Sequence, residues 1–191
     1  LTVCASLLSV SRVQAQNTFE GLGKWVPSNA NCIVMVQAED IYASAIAKAQ
    51  KWGSDRSARF RSGASFFPPT TQRILLASQI DFQYMDSSWL AGVFRKKGEA
   101  INIVDVSKRI TGNIETIANK QALLLPNQSY LFQIDDSTLI TRTPANRQQT
   151  TRWINDKLNG ELDVSPYLEQ AVKFADQNAQ IIVAFDLDGV I

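Results

Sequence analysis

Apolar and polar residues recur along much of this chain with the period of β-strands. The run "CIVMV" (32–36) is continuously apolar and rich in strand-forming residues, as expected of a strand covered on both faces. The runs "QRILLASQI" (72–80) and "SSWLAGVFRKK" (87–97) are also strand-like, and the short segment between them predicts an antiparallel pair. Segments 113–119 and 121–126 predict two more strands.

A hairpin is predicted over residues 129–143, "SYLFQIDDSTLITRT". Tyr130, Phe132 and Ile134 alternate along its first half, as in a strand with one face buried. The polar turn 135–137 then reverses the chain, and the second half returns as the paired strand.

Helical spacing predicts that helices separate these groups of strands. After "CIVMV", Asp40 can cap a helix in which Ala45, Ala49 and Trp52 recur on one face, and Gly53 fits its end. Further helices are predicted at 104–111, from Thr143 and Pro144 as N-cap and first helical residue, and from Ser165 and Pro166 in the same roles.

The order of these elements predicts an α+β domain. One strand, helices, several strands, two helices and a final strand suggest a layered, mixed or mainly antiparallel sheet with helices packed on it. Residues 16–28 contain Gly and Pro without a sustained period and form a lead-in segment. The α+β domain proper is therefore expected to span 29–177.

The end of the chain is similar to its own beginning. Residues 29–42 and 178–191 align without a gap, with four identities in fourteen positions. Apolar positions stay apolar, and Glu39 at the predicted helix entry corresponds to Asp188. We therefore expect 178–191 to be the first strand of a second, truncated repeat.

Residues 1–15, "LTVCASLLSVSRVQA", have the composition of the rear of a secretory signal peptide. Their apolar run of about ten residues is short of the roughly 20 that a membrane span needs. Val13 and Ala15 occupy the minus-three and minus-one positions of a small-residue cleavage site before Gln16. We expect an exported protein, periplasmic or extracellular, with no transmembrane helix in its mature chain.

The charge balance argues against nucleic acid as a partner. The chain has 19 basic and 18 acidic residues, and removal of Arg12 with the signal peptide leaves it neutral. A neutral chain has no net positive field to attract a polyanion. The densest basic stretch, "RSARFRSG" (56–63), is typical of a solvated loop or helix face. A protein or another component of the cell envelope stays open as the partner.

The complete absence of histidine excludes several mechanisms at once. A chain without histidine has no Ser-His-Asp or Cys-His nucleophile, no His-ligated zinc and no histidine general base. Carboxylates, lysines, tyrosines and hard metals held by oxygen remain available. Cys32, the one cysteine after the predicted signal, opens an apolar strand and is expected to be buried and unreactive.

The last seven residues, "FDLDGVI" (185–191), resemble motif I of the haloacid-dehalogenase phosphatases. The resemblance implies Asp186 as nucleophile, Asp188 as general acid/base and Mg²⁺ as cofactor of a phosphohydrolase whose catalytic domain begins at Asp186. Such an enzyme also needs hydroxyl, lysine and acidic motifs further along, which these 191 residues do not contain. We therefore rank this function second.

The favoured interpretation gives the same acids a structural role. Asp188 would lie at a helix entrance, where the helix dipole favours negative charge, and Asp186 at a polar strand exit. Three other acidic pairs lie where turns or caps favour carboxylates, namely Glu39 with Asp40, Asp81 with Asp86, and Asp135 with Asp136. We therefore assign no metal site and no cofactor. Core positions are expected for Trp25, Trp52, Trp89 and Trp153.

Two stretches are similar to a group of exported, uncharacterised bacterial proteins of planctomycete type. They are "VPSNANCIVMVQAEDIYASAIAKAQKW" (26–52) and "TPANRQQTTRWI" (143–154), although Ser28 and Asn29 replace an acidic residue expected there. The resemblance implies export but no activity, so no site residues are carried over. We predict an exported α+β protein that acts as a binding or scaffold module, and we lean against an enzyme.

Overall fold

A computed structural model describes residues 19–98, 100–158, 160, 162–175 and 179–188. The predicted signal segment 1–15 lies outside these residues, as do Asn178 and residues 189–191 of the predicted repeat. In the part of the chain that is described, no helix combines the length and the apolar character that a membrane crossing requires.

Eight strands form one antiparallel sheet, and all neighbouring pairs run in opposite directions. Their spatial order is β4-β5-β6-β7-β3-β2-β1-β8. The strands are β1 (Cys32–Gln37), β2 (Thr71–Asp81), β3 (Asp86–Lys96), β4 (Asn113–Ile117), β5 (Lys120–Leu124), β6 (Tyr130–Asp135), β7 (Thr138–Thr143) and β8 (Ile181–Phe185).

Seven helices are present in the described residues. They are α1 (Glu20–Gly23), α2 (Ala38–Ala43), α3 (Ala45–Ala49), α4 (Trp52–Arg61), α5 (Ile103–Ile110), α6 (Arg147–Leu158) and α7 (Pro166–Ala175). Helices on an antiparallel sheet make this an α+β fold, as the sequence pattern predicts.

Both faces of the sheet carry apolar side chains, because helices or loops cover parts of each face. Face 1, defined by Ile33, Leu75, Val93 and Ile140, packs against α6, α7 and the segment around α1 in the larger core. Face 2, defined by Leu76, Phe94, Leu131 and Leu139, packs against α5 and the loop carrying Phe66 and Phe67. Coverage on both sides explains why the central strands are nearly continuous apolar runs.

The helix predicted after β1 is broken into three. Ser44 is extended, and its hydroxyl accepts the N–H of Ala47, so that it ends α2 and caps α3. Lys51 then adopts a left-handed conformation before α4. Gly53 lies inside α4 and does not end a helix, so the prediction of a single helix to Gly53 is wrong.

The two later helix starts have different outcomes. Ser165 and Pro166 begin α7 as predicted, and the Ser165 hydroxyl accepts a hydrogen bond from the N–H of Leu168 at 3.4 Å. The helix predicted from Thr143 and Pro144 begins later, because Thr143 still belongs to β7. Asn146 is the residue that caps α6, and its side chain accepts the N–H of Gln149 at 3.0 Å.

The terminal segment 179–185 contains the predicted strand, and β8 adds to the same sheet beside β1. The aligned segments differ after the strand. Ala38 begins α2 directly after β1, whereas Leu187 and Asp188 lie in a loop and turn after β8. The second repeat stays a prediction.

Candidate functional site

Within the described residues strand β8 forms an open edge of the sheet, and its hydrogen bonds to β1 determine the direction of its peptide groups. The N–H of Gln37 donates to the carbonyl of Gln180 at 2.8 Å, and the N–H of Asp186 donates to the carbonyl of Asn31 at 2.7 Å. Peptide groups of successive residues point to opposite sides of a strand. The even-numbered residues of 180–186 therefore face β1.

The odd-numbered residues Ile181, Val183 and Phe185 consequently direct their N–H and C=O groups away from β1. β8 is the last strand in the sheet formed by the described residues, so no strand of this part of the chain pairs with those groups. A row of unpaired N–H and C=O groups is a template for another strand.

The side chains of the same three residues lie on face 2 and are widely open to solvent. Ile181, Val183 and Phe185 are 58%, 52% and 43% exposed. The ring of Phe185 meets that of Phe82 edge-on, with centroids 6.1 Å apart, so the apolar surface continues onto the β2–β3 turn. Exposed apolar residues that are contiguous, instead of scattered, mark interaction sites.

A groove borders β8 on face 1. It lies between β8 and α7, has a volume of about 630 Å³, and is lined by Tyr167 and Phe174 together with Ile182. Both aromatic side chains are exposed. Lys173 and Glu169 form an ion pair of 2.6 Å along α7. Apolar surface is therefore available on both sides of the open edge.

The opposite edge of the sheet, at β4, carries a charged residue that protects it against the addition of another strand. Glu115 lies in β4 and accepts from the Tyr130 hydroxyl at 3.2 Å and from Arg147 at 3.4 Å. A charge on an edge strand opposes the addition of another strand. β8 has no charged residue and no proline between residues 181 and 185, so the two edges differ in this protection.

Asp186 and Asp188, the candidate catalytic residues, lie at the exit of β8. The Asp186 carboxylate accepts the N–H of Asp188 at 3.0 Å. Hydrogen bonds from the Ser165 hydroxyl and from this N–H lower the pKa of Asp186. The carboxylate thus shapes a tight turn after the strand. The described residues include no group of three Cys, Asp or Glu side chains arranged to hold a metal ion.

The other acidic pairs are divided among local structural roles. Asp81 accepts the N–H of Gln83 at 2.9 Å, as expected for a turn. Burial would raise the pKa of Asp135, but the hydroxyl and N–H of Ser137 bond to its carboxylate and lower it. Glu39 is paired with Lys97, which lowers its pKa, and so links α2 to the sheet.

Cys32 and three of the four tryptophans are buried, as expected. Cys32 is buried, and burial raises its pKa although Ser78 bonds to the sulfur. Trp25, Trp89 and Trp153 are buried in the larger core. Trp52 is 39% exposed, so its predicted core position is wrong. Ala45 and Ala49, which share the predicted helical face with Trp52, are exposed as well.

Neither a family model nor a curated protein matches this sequence. Among solved structures, the chain is similar to crystal form I of TP0453, with a TM-score of 0.52 and 7% identity over 84% of this chain and 60% of that chain. For form IV the TM-score is 0.49 at 9% identity, over 84% and 62% of the two chains. At these identities the likeness shows the fold alone, and the chain spans about 60% of the length of TP0453.

The sequence pattern identified β8 as a strand but not as an open edge of the sheet. The available signal was that all five residues of "IIVAF" are apolar, although an edge strand with one solvated face should alternate. Tyr167 and Phe174 gave a second signal, because both flank the buried stripe of α7.

Proposed function

We propose that this protein is an exported binding module that captures an extended segment of a partner protein as a ninth strand beside β8. The open, uncharged edge formed by Ile181, Val183 and Phe185 is the single observation that supports this function. Natural sheets protect such edges with charge, proline or a covering element. An edge without these features favours a partner that supplies the missing strand.

Strand addition would use the backbone for affinity and the side chains for specificity. The outward N–H and C=O groups of Ile181, Val183 and Phe185 can form a short ladder of hydrogen bonds with an antiparallel or a parallel strand. Side chains of the added strand would point alternately to the two faces. Those on face 1 would enter the groove beside Tyr167 and Phe174, and those on face 2 would cover Val183. The captured segment is therefore expected to be apolar at successive positions.

Site-specific photo-crosslinking in the organism that makes the protein tests this function. A photoreactive phenylalanine analogue placed at Val183 should yield a covalent adduct with another protein, identified by mass spectrometry. The matched position is Ile114, an exposed apolar residue on the opposite, charged edge. No adduct at Val183 above the level found at Ile114 would contradict the proposal, as would an adduct formed only between two copies of this chain.

Substitutions at the two edges give the matching binding control. Once the partner is captured, Val183→Lys should abolish its binding because it places a charge in the added ladder. Ile114→Lys introduces the same charge on the other edge and should leave binding unchanged. Equal effects of both substitutions would show that general surface charge, and not strand addition, controls the interaction.

Export is part of the proposed function and rests on residues 1–15. The protein recovered from its native organism should begin at Gln16, after removal of the signal segment. N-terminal sequencing of the periplasmic or secreted fraction measures this. Recovery of the chain only from the cytoplasm, with residues 1–15 retained, would contradict it.

A further inference from the structure

Arg142 is a buried cation that has no counter-ion among the described residues. It lies in β7, opposite Ala91 of β3 and Tyr130 of β6, and its side chain is in phase with Ile140 on face 1. The residue is 6% exposed, and its Nε and Nη1 atoms are enclosed without a hydrogen-bond partner. No carboxylate in the described part of the chain lies within ion-pair distance of it. Burial without compensation lowers its pKa.

Two tryptophans hold the Arg142 guanidinium without satisfying its N–H groups. Its carbon Cζ lies 5.0 Å from the ring of Trp89 and 5.5 Å from the ring of Trp153. Ring faces stabilise the cation, but its N–H donors still need acceptors. Trp153 donates its own N–H to the Trp25 carbonyl at 2.8 Å, whereas the N–H of Trp89 is enclosed without an acceptor.

The unpaired Arg142 cation and the unsatisfied Trp89 N–H lower the stability of the folded protein, so stability does not explain their presence. An unpaired buried charge and an unsatisfied N–H each cost free energy, and an apolar side chain of similar size would avoid both costs. A buried polar group without a partner requires an explanation, and a bound ligand that supplies the missing acceptors is one.

Arg142 borders an open cleft of about 750 Å³ between α6 and the β2–β3 end of the sheet. Two other cations, Arg152 and Lys157, line the same cleft. Its two carboxylates, Asp156 and Asp163, are exposed at the surface. Among the described residues the cleft therefore has one more positive than negative group, and two of its cations, Arg142 and Lys157, are each only 6% exposed.

We propose that this cleft is a binding site for a small molecule that carries a carboxylate or phosphate group, with Arg142 as the residue that meets its negative charge. An oxyanion bound in the plane of the guanidinium supplies acceptors and the missing counter-charge together. The attraction is strong there because Arg142 is only 6% exposed, and the surrounding protein screens its charge less than water does. This site is on face 1 and is distinct from the open edge at β8.

Titration of the purified chain with succinate, inorganic phosphate and chloride at equal ionic strength tests the proposal. Trp89 and Trp153 report binding through their fluorescence. Succinate, phosphate or both should give a saturable change at millimolar concentration or below and raise the thermal midpoint, and chloride should do neither. The tighter-binding ion of the two shows whether the site prefers a carboxylate or a phosphate group. A response equal to that of chloride, or no saturable response to either oxyanion, would overturn the proposal.

Substitution of Arg142 assigns the effect to this residue. Arg142→Met should weaken oxyanion binding at least tenfold while leaving the thermal midpoint of the free protein unchanged or higher. Arg109→Met is the matched control, because Arg109 also stacks on an aromatic ring, that of Phe60 at 4.2 Å, but lies outside the cleft. If Arg142→Met fails to fold, Arg142→Lys keeps the charge and should bind with intermediate affinity. Wild-type affinity in a folded Arg142→Met protein would refute the assignment.

Discussion

Proline substitutions at adjacent positions of β8 should have very different effects on stability. Val183 directs its N–H to the open edge, whereas Ala184 directs its N–H to β1, opposite Ile33. Proline removes the N–H at its own position and favours an extended conformation of the residue before it, which a strand already has. The two substitutions therefore differ mainly in whether a ladder hydrogen bond is lost.

The structure sets the size of each effect. Ala184→Pro removes a ladder hydrogen bond and leaves a carbonyl of β1 without its donor, at a cost of about 1–3 kcal/mol. Ala184 is also buried in the larger core, where the proline ring has to be accommodated. A total loss of about 2–4 kcal/mol is expected. Val183→Pro removes no ladder hydrogen bond and changes a half-exposed side chain, so its cost is about 1 kcal/mol or less.

Urea unfolding followed by tryptophan fluorescence measures both values, because three of the four tryptophans are buried in the core. The difference between the variants should be at least about 1 kcal/mol, which the shift in midpoint resolves when the slopes agree. Equal destabilisation by the two prolines, or greater destabilisation by Val183→Pro, would show that the N–H groups of β8 do not point in the directions assigned to them. The open edge inferred from those directions would then be wrong.

Three further outcomes follow from individual side chains. Cys32 should react with a thiol reagent only as the protein unfolds, because burial shields it and raises its pKa; rapid reaction of the native protein would contradict this. Gly92→Ala should cost about 1–3 kcal/mol in urea unfolding, because the new Cβ would lie 2.6 Å from the Phe94 ring, whereas Gly53→Ala meets nothing within 4 Å and should be neutral or stabilising. The lowered pKa of Glu39 stabilises the fold fully above the unfolded-state pKa of about 4.3. This stabilisation is lost as pH falls through the folded-state pKa. Glu39→Gln should therefore reduce the loss of stability at acid pH by less than about 1 kcal/mol.

Local periodicity predicted most of the strands because each depends on residues close together in sequence. The hairpins 71–96 and 130–143 followed from alternation and from the polar turns between their strands. The broken helix after β1 was missed because a single hydroxyl, that of Ser44, competes with the helical pattern. Periodicity alone does not show that competition.

The candidate sites depended on contacts between distant segments, which the sequence pattern does not specify. The edge position of β8 results from its pairing with β1, almost 150 residues earlier in the chain. The cleft at Arg142 combines β7 with Trp89 and Trp153. A partial signal was present in "TLITRT", where Arg142 is two residues after the core residue Ile140 and therefore shares its face.

Residue-resolved amide hydrogen exchange of β8 tests the central claim most directly. In the free protein, the amides of Ile182 and Ala184 should be protected and those of Ile181, Val183 and Phe185 should exchange quickly. In the complex with the captured partner, the three outward amides should become protected as well. Protection of all five amides in the free protein, or continued fast exchange of the outward amides in the complex, would contradict strand addition at this edge.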